Sequence, residues 1–146
     1  MTDQVSASIG INATPTQIID VIADFERYPD WTGYIKSADV VTRDADGRPQ
    51  DVRFVLDAGV VKADYTLRYE WHEGADHAGV KWTLQSGSLK RNDGSYDIRV
   101  TDNASEVIYS LAVDMGVPML GMFRRKVEKV IMDTALTELK RRVEQT

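Results

Sequence analysis

The sequence predicts an α+β fold in which a curved antiparallel sheet wraps around one long C-terminal helix. From residue 35 to residue 114, apolar residues recur at every second position between short turns, which is typical of half-buried strands. Short turns favour antiparallel pairing of consecutive strands over helical crossovers. After Gly116 and Pro118 the only breaker is Gly121, and apolar residues recur at intervals of three and four, which indicates a helix.

The length and composition predict one globular domain that spans residues 1–146. A chain of 146 residues with 42% hydrophobic and 28% charged residues can bury a hydrophobic core. The absence of cysteine excludes disulfides, thiolate catalysis and zinc sites of the cysteine type. The sequence shows no signal-peptide pattern and no apolar run long enough for a membrane span, so we expect a cytoplasmic protein.

The charge distribution disfavours nucleic acid as a partner. The formal net charge is −5, from 18 basic and 23 acidic residues, whereas phosphate binding needs excess positive charge. Two basic triplets, at residues 124–126 and 140–142, fall on the predicted last helix. We interpret them as a solvated face with cations near the helix C-terminus, and the alternative is a patch for an anionic partner.

The N-terminal segment predicts a strand followed by a capped helix. Residues Val5–Ile11 alternate apolar with small or polar side chains, which indicates a half-buried strand. Thr14 and Gln17 have the spacing of a capping box, and Pro15 occupies the first helical position, where its missing N–H does no harm. A short helix is therefore expected to start at Pro15.

Proline and glycine residues predict where the next elements end. Pro29 disfavours helical geometry at Tyr28, so the first helix is expected to end before Tyr28, and a second short helical turn is predicted from Trp31 to Tyr34. Turns are predicted at residues 44–47 and from Gly74 to Gly79. The Asn-Asp-Gly triplet at residues 92–94 leaves the start of the next strand undetermined.

Aromatic side chains dominate one face of the predicted central strands. In residues 64–72, the apolar and aromatic residues Tyr65, Leu67, Tyr69 and Trp71 alternate strictly with polar residues, so one face is expected to be buried and the other exposed to solvent. Six tyrosine and tryptophan residues share this inward phase: Tyr65, Tyr69, Trp71, Trp82, Tyr96 and Tyr109. Their polar atoms need partners when buried, so they either line a ligand cavity or fill a core while bonding backbone or water.

The apolar stripe of the last helix drifts around its axis. Its first residues are Leu120, Phe123, Val127, Val130 and Ile131, and it continues to Val143. Such drift fits a helix that crosses a twisted sheet. Because one helix of about 10–12 Å diameter cannot cover a broad concave sheet, we expect a pocket between them.

Several motifs resemble those of one known superfamily. They are the helix that opens at Thr14-Pro15, the segment FERYPDW at residues 25–31, the Gly94-Ser95-Tyr96 step, and the Phe123-Arg124-Arg125 start of the last helix. Together with the order of elements, they resemble the START-like helix-grip superfamily (SRPBCC), in particular its bacterial polyketide cyclase/dehydrase and lipid-transport branch. The resemblance implies a helix-grip fold with about seven strands, two short helices after the first strand, and a hydrophobic cavity under the C-terminal helix.

Three functions stay open on this basis. The leading hypothesis is the binding or transport of a small hydrophobic molecule, such as a lipid, a polyketide or an aromatic compound. The first alternative is a polyketide aromatase/cyclase. The second is an interaction protein that resembles the ribosome-associated toxins or the coenzyme Q-binding proteins, which the basic triplets suggest. The sequence does not decide between a monomer and a homodimer.

The expected ligand-binding residues are those of the inward phase. They are Tyr65, Leu67, Tyr69, Trp71, Trp82, Tyr96, Tyr109, Leu111, Phe123, Val127 and Ile131. No catalytic residue, metal site or cofactor is predicted, because His72 and His77 flank a turn and have no partner at metal-ligand spacing. Glu138 is the one carboxylate whose helical angle approaches the inner stripe, and we interpret it as a residue of the rim or the surface.

Overall fold

The computed structural model describes residues 5–57, 62–74, 76–114 and 121–145. For residues 121–124 and 127 it describes the backbone alone. The elements in chain order are β1 (Val5–Ile11), α1 (Pro15–Ala23), a 3₁₀ helix (Phe25–Arg27), α2 (Tyr28–Trp31), β2 (Ile35–Arg43), β3 (Pro49–Asp57), β4 (Lys62–His72), β5 (His77–Gly87), β6 (Arg91–Val100), β7 (Ser105–Asp114) and α3 (Gly121–Glu144).

The described strands form one curved antiparallel sheet that wraps around α3. The strand order is β1-β7-β6-β5-β4-β3-β2, so each strand from β2 to β7 pairs with its neighbours in sequence and β1 returns to pair with β7. Helix α3 packs across β1 and β7, and α1 also contacts α3. The predicted α+β class, the antiparallel sheet and the helix-grip arrangement are confirmed. In the described part of the chain, no helix is long and apolar enough to span a membrane.

The predicted capping box closes the N-terminus of α1. The Thr14 hydroxyl accepts from the Gln17 backbone N–H at 3.2 Å, and the Gln17 side chain accepts from the Thr14 N–H at 2.9 Å. The helix then buries Ile18, Ile19 and Ile22 completely or almost completely. The prediction of this helix from sequence is confirmed.

The predicted geometry at Tyr28 is wrong. Tyr28 is helical, with φ −53° and ψ −40°, and α2 begins there and ends at Trp31 rather than running from Trp31 to Tyr34. Pro29 lies in the first turn of α2, where a backbone N–H is not needed. The Tyr28 hydroxyl also donates to the Ile22 carbonyl at 2.5 Å, which fixes the short helix against α1. This tertiary contact outweighs the local preference of a residue before proline.

Two glycines lie inside strands, and the ring of a neighbouring side chain covers each of them. Gly79 belongs to β5, so the predicted turn ends earlier than expected, and a Cβ there would lie 2.6 Å from the His72 ring. Gly94 belongs to β6, and a Cβ there would lie 2.7 Å from the Trp82 indole. Both glycines therefore mark close approach of a side chain to the backbone rather than a turn. The turn predicted at residues 44–47 is confirmed, with Gly47 at φ 86°.

Helix α3 is the long helix that was predicted. A hydrogen bond near its C-terminus holds it against β1. Met132, Leu136 and Leu139 are buried, whereas Val130 is 56% exposed. The placement of Val130 on the inner stripe is therefore wrong, because Val130 lies about 200° around the helix from Met132. Near the helix end, the Lys140 ammonium donates to the Gly10 carbonyl of β1 at 2.9 Å.

Candidate functional site

A cavity of about 190 Å³ lies between the concave face of the sheet and α3. Its apolar wall comes from β3 to β7, its cover from α3, and its edge from α2 and the start of β2. The described lining residues are Ile22, Tyr28, Trp31, Thr32, Tyr34, Ile35, Phe54, Leu56, Ala63, Tyr65, Leu67, Tyr69, Trp82, Leu89, Asn92, Tyr96, Tyr109, Leu111, Val113, Ile131, Thr134, Ala135 and Glu138. The predicted pocket between helix and sheet is thus present in the structure.

A row of contacting aromatic side chains forms the floor of this cavity. The ring centroid of Trp82 lies 5.8 Å from that of Tyr69 and 5.7 Å from that of Tyr109. Tyr96 and Tyr109 lie 4.6 Å apart, also tilted with respect to each other. Tilted and edge-on contacts at such distances are favourable for aromatic pairs, so these contacts stabilise the apolar floor.

Gly94 and Asn92 position the Trp82 indole. Trp82 and Gly94 face each other across β5 and β6, and the missing side chain of Gly94 lets the indole lie over β6. The indole N–H then donates to the Asn92 side-chain oxygen at 3.0 Å. Asn92 is only 9% exposed and lines the cavity, so it adds a polar group to an otherwise apolar wall. The sequence pattern does not indicate a cavity role for Asn92, because its Asn-Asp-Gly triplet has the composition of a turn.

Four tyrosine hydroxyls face the open space of the cavity. Tyr65, Tyr69, Tyr96 and Tyr109 line it, and none of their hydroxyls bonds to a residue that the structure describes. In that same part of the chain, every fully enclosed polar side-chain atom has a partner. These four hydroxyls are therefore accessible from the cavity, where they are free to bond a guest molecule.

Burial keeps these phenols in their neutral form. Removal from water raises the pKa of Tyr65, Tyr69, Tyr96 and Tyr109 above the usual value for tyrosine. Mutual repulsion between neighbouring tyrosinates raises the pKa of Tyr69 and Tyr109 further, since ionisation of one phenol opposes that of the next. At neutral pH they are hydrogen-bond donors and not bases.

Glu138 lies at the edge of the cavity and links α3 to the loop after α2. It is half-buried, and its carboxylate accepts from the Gly33 backbone N–H at 3.2 Å. It is the one carboxylate among the described lining residues. The structure therefore places Glu138 at the rim, as the sequence analysis interpreted it, with one side open to the cavity.

Eight of the expected ligand-binding residues line the cavity in the structure: Tyr65, Leu67, Tyr69, Trp82, Tyr96, Tyr109, Leu111 and Ile131. Trp71 lies outside the described lining. It stacks on Tyr69 with 5.8 Å between ring centroids, and its indole N–H donates to the Pro49 carbonyl at 2.7 Å. The side chains of Phe123 and Val127 lie outside the described residues.

One buried carboxylate was missed by the sequence analysis. Glu128 of α3 is 2% exposed, and its side chain accepts from the Val113 backbone N–H of β7 at 2.9 Å. Its spacing to Met132 and Leu136 is the signal that could have found it, because residues four apart share a helix face. Glu128 fixes α3 against the end of β7, next to the cavity wall at Val113.

The basic triplets occupy different environments. Arg125 and Lys126 are exposed, and Arg141 is exposed near the C-terminus of α3. Lys140 instead donates to the Gly10 carbonyl of β1 and forms an ion pair with Glu144 at 2.7 Å. The solvated-face interpretation fits Arg125, Lys126 and Arg141, whereas Lys140 makes a structural contact.

Comparisons with known proteins agree with this architecture. The family model described as "Polyketide cyclase / dehydrase and lipid transport" matches residues 11–140. A START superfamily protein from Mycobacterium smegmatis superposes with a TM-score of 0.86 at 22% identity and covers 97% of both chains. A search of curated protein sequences found no match.

Two further structures are similar to this chain at lower identity. The Zhui aromatase/cyclase from a Streptomyces species superposes with a TM-score of 0.74 at 12% identity, over 99% of this chain and 95% of that one. A STAR-related lipid transfer protein fragment from Xanthomonas axonopodis gives a TM-score of 0.78 at 11% identity, over 97% of this chain and 85% of that one. At such identities the likeness shows the fold alone. The family model matches most of the chain, and the protein therefore belongs to the polyketide cyclase/dehydrase and lipid-transport family.

Proposed function

We propose that the protein binds and carries a small ring-containing molecule that bears carbonyl or other acceptor oxygens. The observation that carries this proposal is the set of four neutral tyrosine hydroxyls that face an apolar cavity without a described protein partner. An apolar guest gains from burial against the aromatic floor, and acceptor oxygens on that guest satisfy the phenol donors. A purely hydrocarbon guest would leave these donors without partners and so would bind less tightly.

The cavity volume limits the size of the guest. The volume of about 190 Å³ exceeds the ~150 Å³ of an apolar cavity that holds benzene and lies below the about 300 Å³ at which typical ligand pockets begin. A compound of one or two fused rings fits this space. A larger lipid or polyketide would require the edge formed by Glu138 and the Gly33 loop to separate.

Cyclase activity is the second candidate, and Glu138 is the observation that favours it. An aldol closure needs a group that removes a proton next to a carbonyl, and neutral phenols do not provide one. Glu138 is a carboxylate at the rim, while Tyr69 and Tyr109 can donate to the carbonyl that gains negative charge. Family membership and the likeness to an aromatase/cyclase structure support this candidate as well.

Filling the cavity should separate ligand binding from stability. Ala135 of α3 lines the cavity, so Ala135→Phe should occupy ligand space and cost less than about 1 kcal/mol of unfolding free energy. The bicyclic ketone tetralone serves as the probe. We expect calorimetry to show tetralone binding to the wild type and none to Ala135→Phe.

The matched control is Ala78→Phe. Ala78 is 1% exposed in the packed core and does not belong to the described cavity lining. The same added ring should there cost about 1–3 kcal/mol or more, because close packing leaves no room. An Ala135→Phe variant that melts as early as Ala78→Phe would contradict the open cavity.

Mass spectrometry after incubation with a poly-β-ketone distinguishes a carrier, which returns the compound unchanged, from a cyclase, which releases water from it.

A further inference from the structure

Two histidines and an aspartate converge on the outer face of the sheet, away from the cavity. The donor atoms of His72, His77 and Asp97 all lie within 4.8 Å of one another. The two imidazole rings are 4.9 Å apart between centroids, and the His77 ring contacts the Asp97 carboxylate. Sequence spacing does not reveal a partner for the histidines, because Asp97 lies on a different strand.

The strand register explains why these side chains meet. His72 of β4 faces Gly79 of β5, and Gly79 faces Asp97 of β6. Residues paired in this way project to the same side of the sheet, and His77, two positions before Gly79, projects to that side as well. The three side chains therefore come from three adjacent strands and form one group on the outer face of the sheet.

Gly79 provides the space in which the group forms. A Cβ at this position would lie 2.6 Å from the His72 ring and 2.7 Å from the Tyr96 carbonyl. Without that carbon, the His72 imidazole lies over the β5 backbone and reaches toward His77 and Asp97. Arg99 holds the other oxygen of Asp97 at 3.1 Å, which leaves the first oxygen turned toward His77.

We propose that His72, His77 and Asp97 form a binding site for a divalent transition-metal ion with the ligand preference of Zn²⁺. Two imidazoles and one carboxylate are a common ligand set for Zn²⁺, with further positions left to water. Ligand atoms in a tetrahedral zinc site lie roughly 3.3 Å apart, which side-chain rotations reach from the present separation. The Arg99–Asp97 ion pair acts as the outer contact that orients the carboxylate. Bound metal would link β4, β5 and β6.

The chain is well suited to a direct test, because it has no cysteine and only these two histidines. The 146-residue chain, free of any histidine tag, is titrated with ZnSO₄ by calorimetry and with CoCl₂ by visible absorption. We expect one ion per chain and a Co²⁺ spectrum with imidazole coordination. His72→Ala, His77→Gln and Asp97→Asn should each weaken Zn²⁺ binding at least about tenfold.

The control is Glu70→Gln, which removes an exposed carboxylate from the same face of β4 and should change the affinity less than about twofold. Zn²⁺ should also raise the melting temperature of the wild type and of Glu70→Gln, but not of His72→Ala. Equal Zn²⁺ affinity in the wild type and the three ligand variants would overturn the proposal, as would the absence of stoichiometric binding to the wild type. Because the group lies outside the cavity, all four variants should bind tetralone normally, so the two proposals fail independently.

Discussion

Tyr28 and Tyr109 both line the cavity, but their hydroxyl groups have different surroundings. The Tyr28 hydroxyl donates to the Ile22 carbonyl at 2.5 Å, whereas the Tyr109 hydroxyl bonds to no residue in the described ranges. Removal of one oxygen atom from each residue therefore tests two different things. At Tyr28 it tests a contact within the protein, and at Tyr109 it tests a contact with a guest.

Tyr109→Phe should weaken binding of an oxygen-bearing ligand without destabilising the protein. We expect the affinity for tetralone to fall by about 0.5–1.5 kcal/mol, the typical contribution of one hydrogen bond, while the affinity for its hydrocarbon counterpart tetralin stays the same. Calorimetry with the two ligands measures this difference. Tyr28→Phe should instead lower the unfolding free energy by about 1 kcal/mol and leave the tetralone-to-tetralin ratio unchanged. Equal losses for both ligands in Tyr109→Phe would rule out a donor role.

The sequence predicts the aromatic residues of the cavity better than its polar ones. Strict alternation in β4 assigns Tyr65 and Tyr69 to the inner face, because the period of a strand leaves only two faces. Nothing in that period distinguishes Trp71, which turns its indole to the Pro49 carbonyl. Asn92 and Glu128 escape prediction because their roles depend on the backbone or ring that folding brings beside them.

At the scale of elements, β6 is shaped by the glycine over which Trp82 lies. An added Cβ at Gly94 would approach the Ser110 carbonyl to 2.3 Å and the Trp82 ring to 2.7 Å. Gly94→Ala should therefore destabilise the protein by about 1–3 kcal/mol, displace the indole from Asn92 and alter the tryptophan fluorescence. Thermal denaturation and emission spectra measure both effects.

Gly10→Ala is the matched substitution in an edge strand. A Cβ at Gly10 meets nothing within 4 Å, so alanine should be neutral or stabilise β1 by up to about 1 kcal/mol. If Gly94→Ala were as well tolerated as Gly10→Ala, the close contact between β6 and Trp82 would not exist in solution.

The order and type of the elements follow from sequence period, but several boundaries do not. Alternation predicts β4 and β5, and the capping box predicts α1, because these patterns depend on neighbouring residues alone. Local rules for glycine and proline mispredict Gly79 and Tyr28, because contacts between neighbouring strands or helices determine the geometry at both residues. Val130 is mispredicted for another reason. The apolar stripe drifts around α3, so the sequence alone does not decide which side of the helix the sheet covers.

At the scale of the whole molecule, the buried tyrosines of the cavity make the free energy of unfolding depend on pH in the alkaline range. Burial raises the pKa of Tyr28, Tyr65, Tyr69, Tyr96 and Tyr109 in the folded protein. In the unfolded chain these residues ionise near pH 10. Above that pH the unfolded chain loses protons that the folded protein retains, so stability is full below pH 10 and falls as the pH rises.

We therefore expect cooperative alkaline unfolding. Each tyrosine contributes a slope of about 1.4 kcal/mol per pH unit, so five together remove about 14 kcal/mol within roughly two units above pH 10, which is most of the typical range of net stability of about 5–15 kcal/mol. Tyrosinate absorbance and near-ultraviolet circular dichroism should change in the same steep transition. Tyr96→Phe should make that transition less steep. Gradual ionisation of all tyrosines near pH 10 with the native dichroism intact would contradict the buried cluster.

The pairing of β1 with β7 also sets the order in which the molecule can be built during synthesis. In the described part of the chain, β7 is the one strand that pairs with β1, and the paired residues Ser6 and Ser110 are 104 positions apart. At about 5–20 residues per second, a nascent chain holds β1 without its partner for roughly 5–20 seconds, while the hairpins from β2 to β6 can already form. Helix α3 emerges later still. Until α3 has emerged, the apolar face of the nascent sheet is therefore uncovered, and in this interval the chain is most exposed to aggregation.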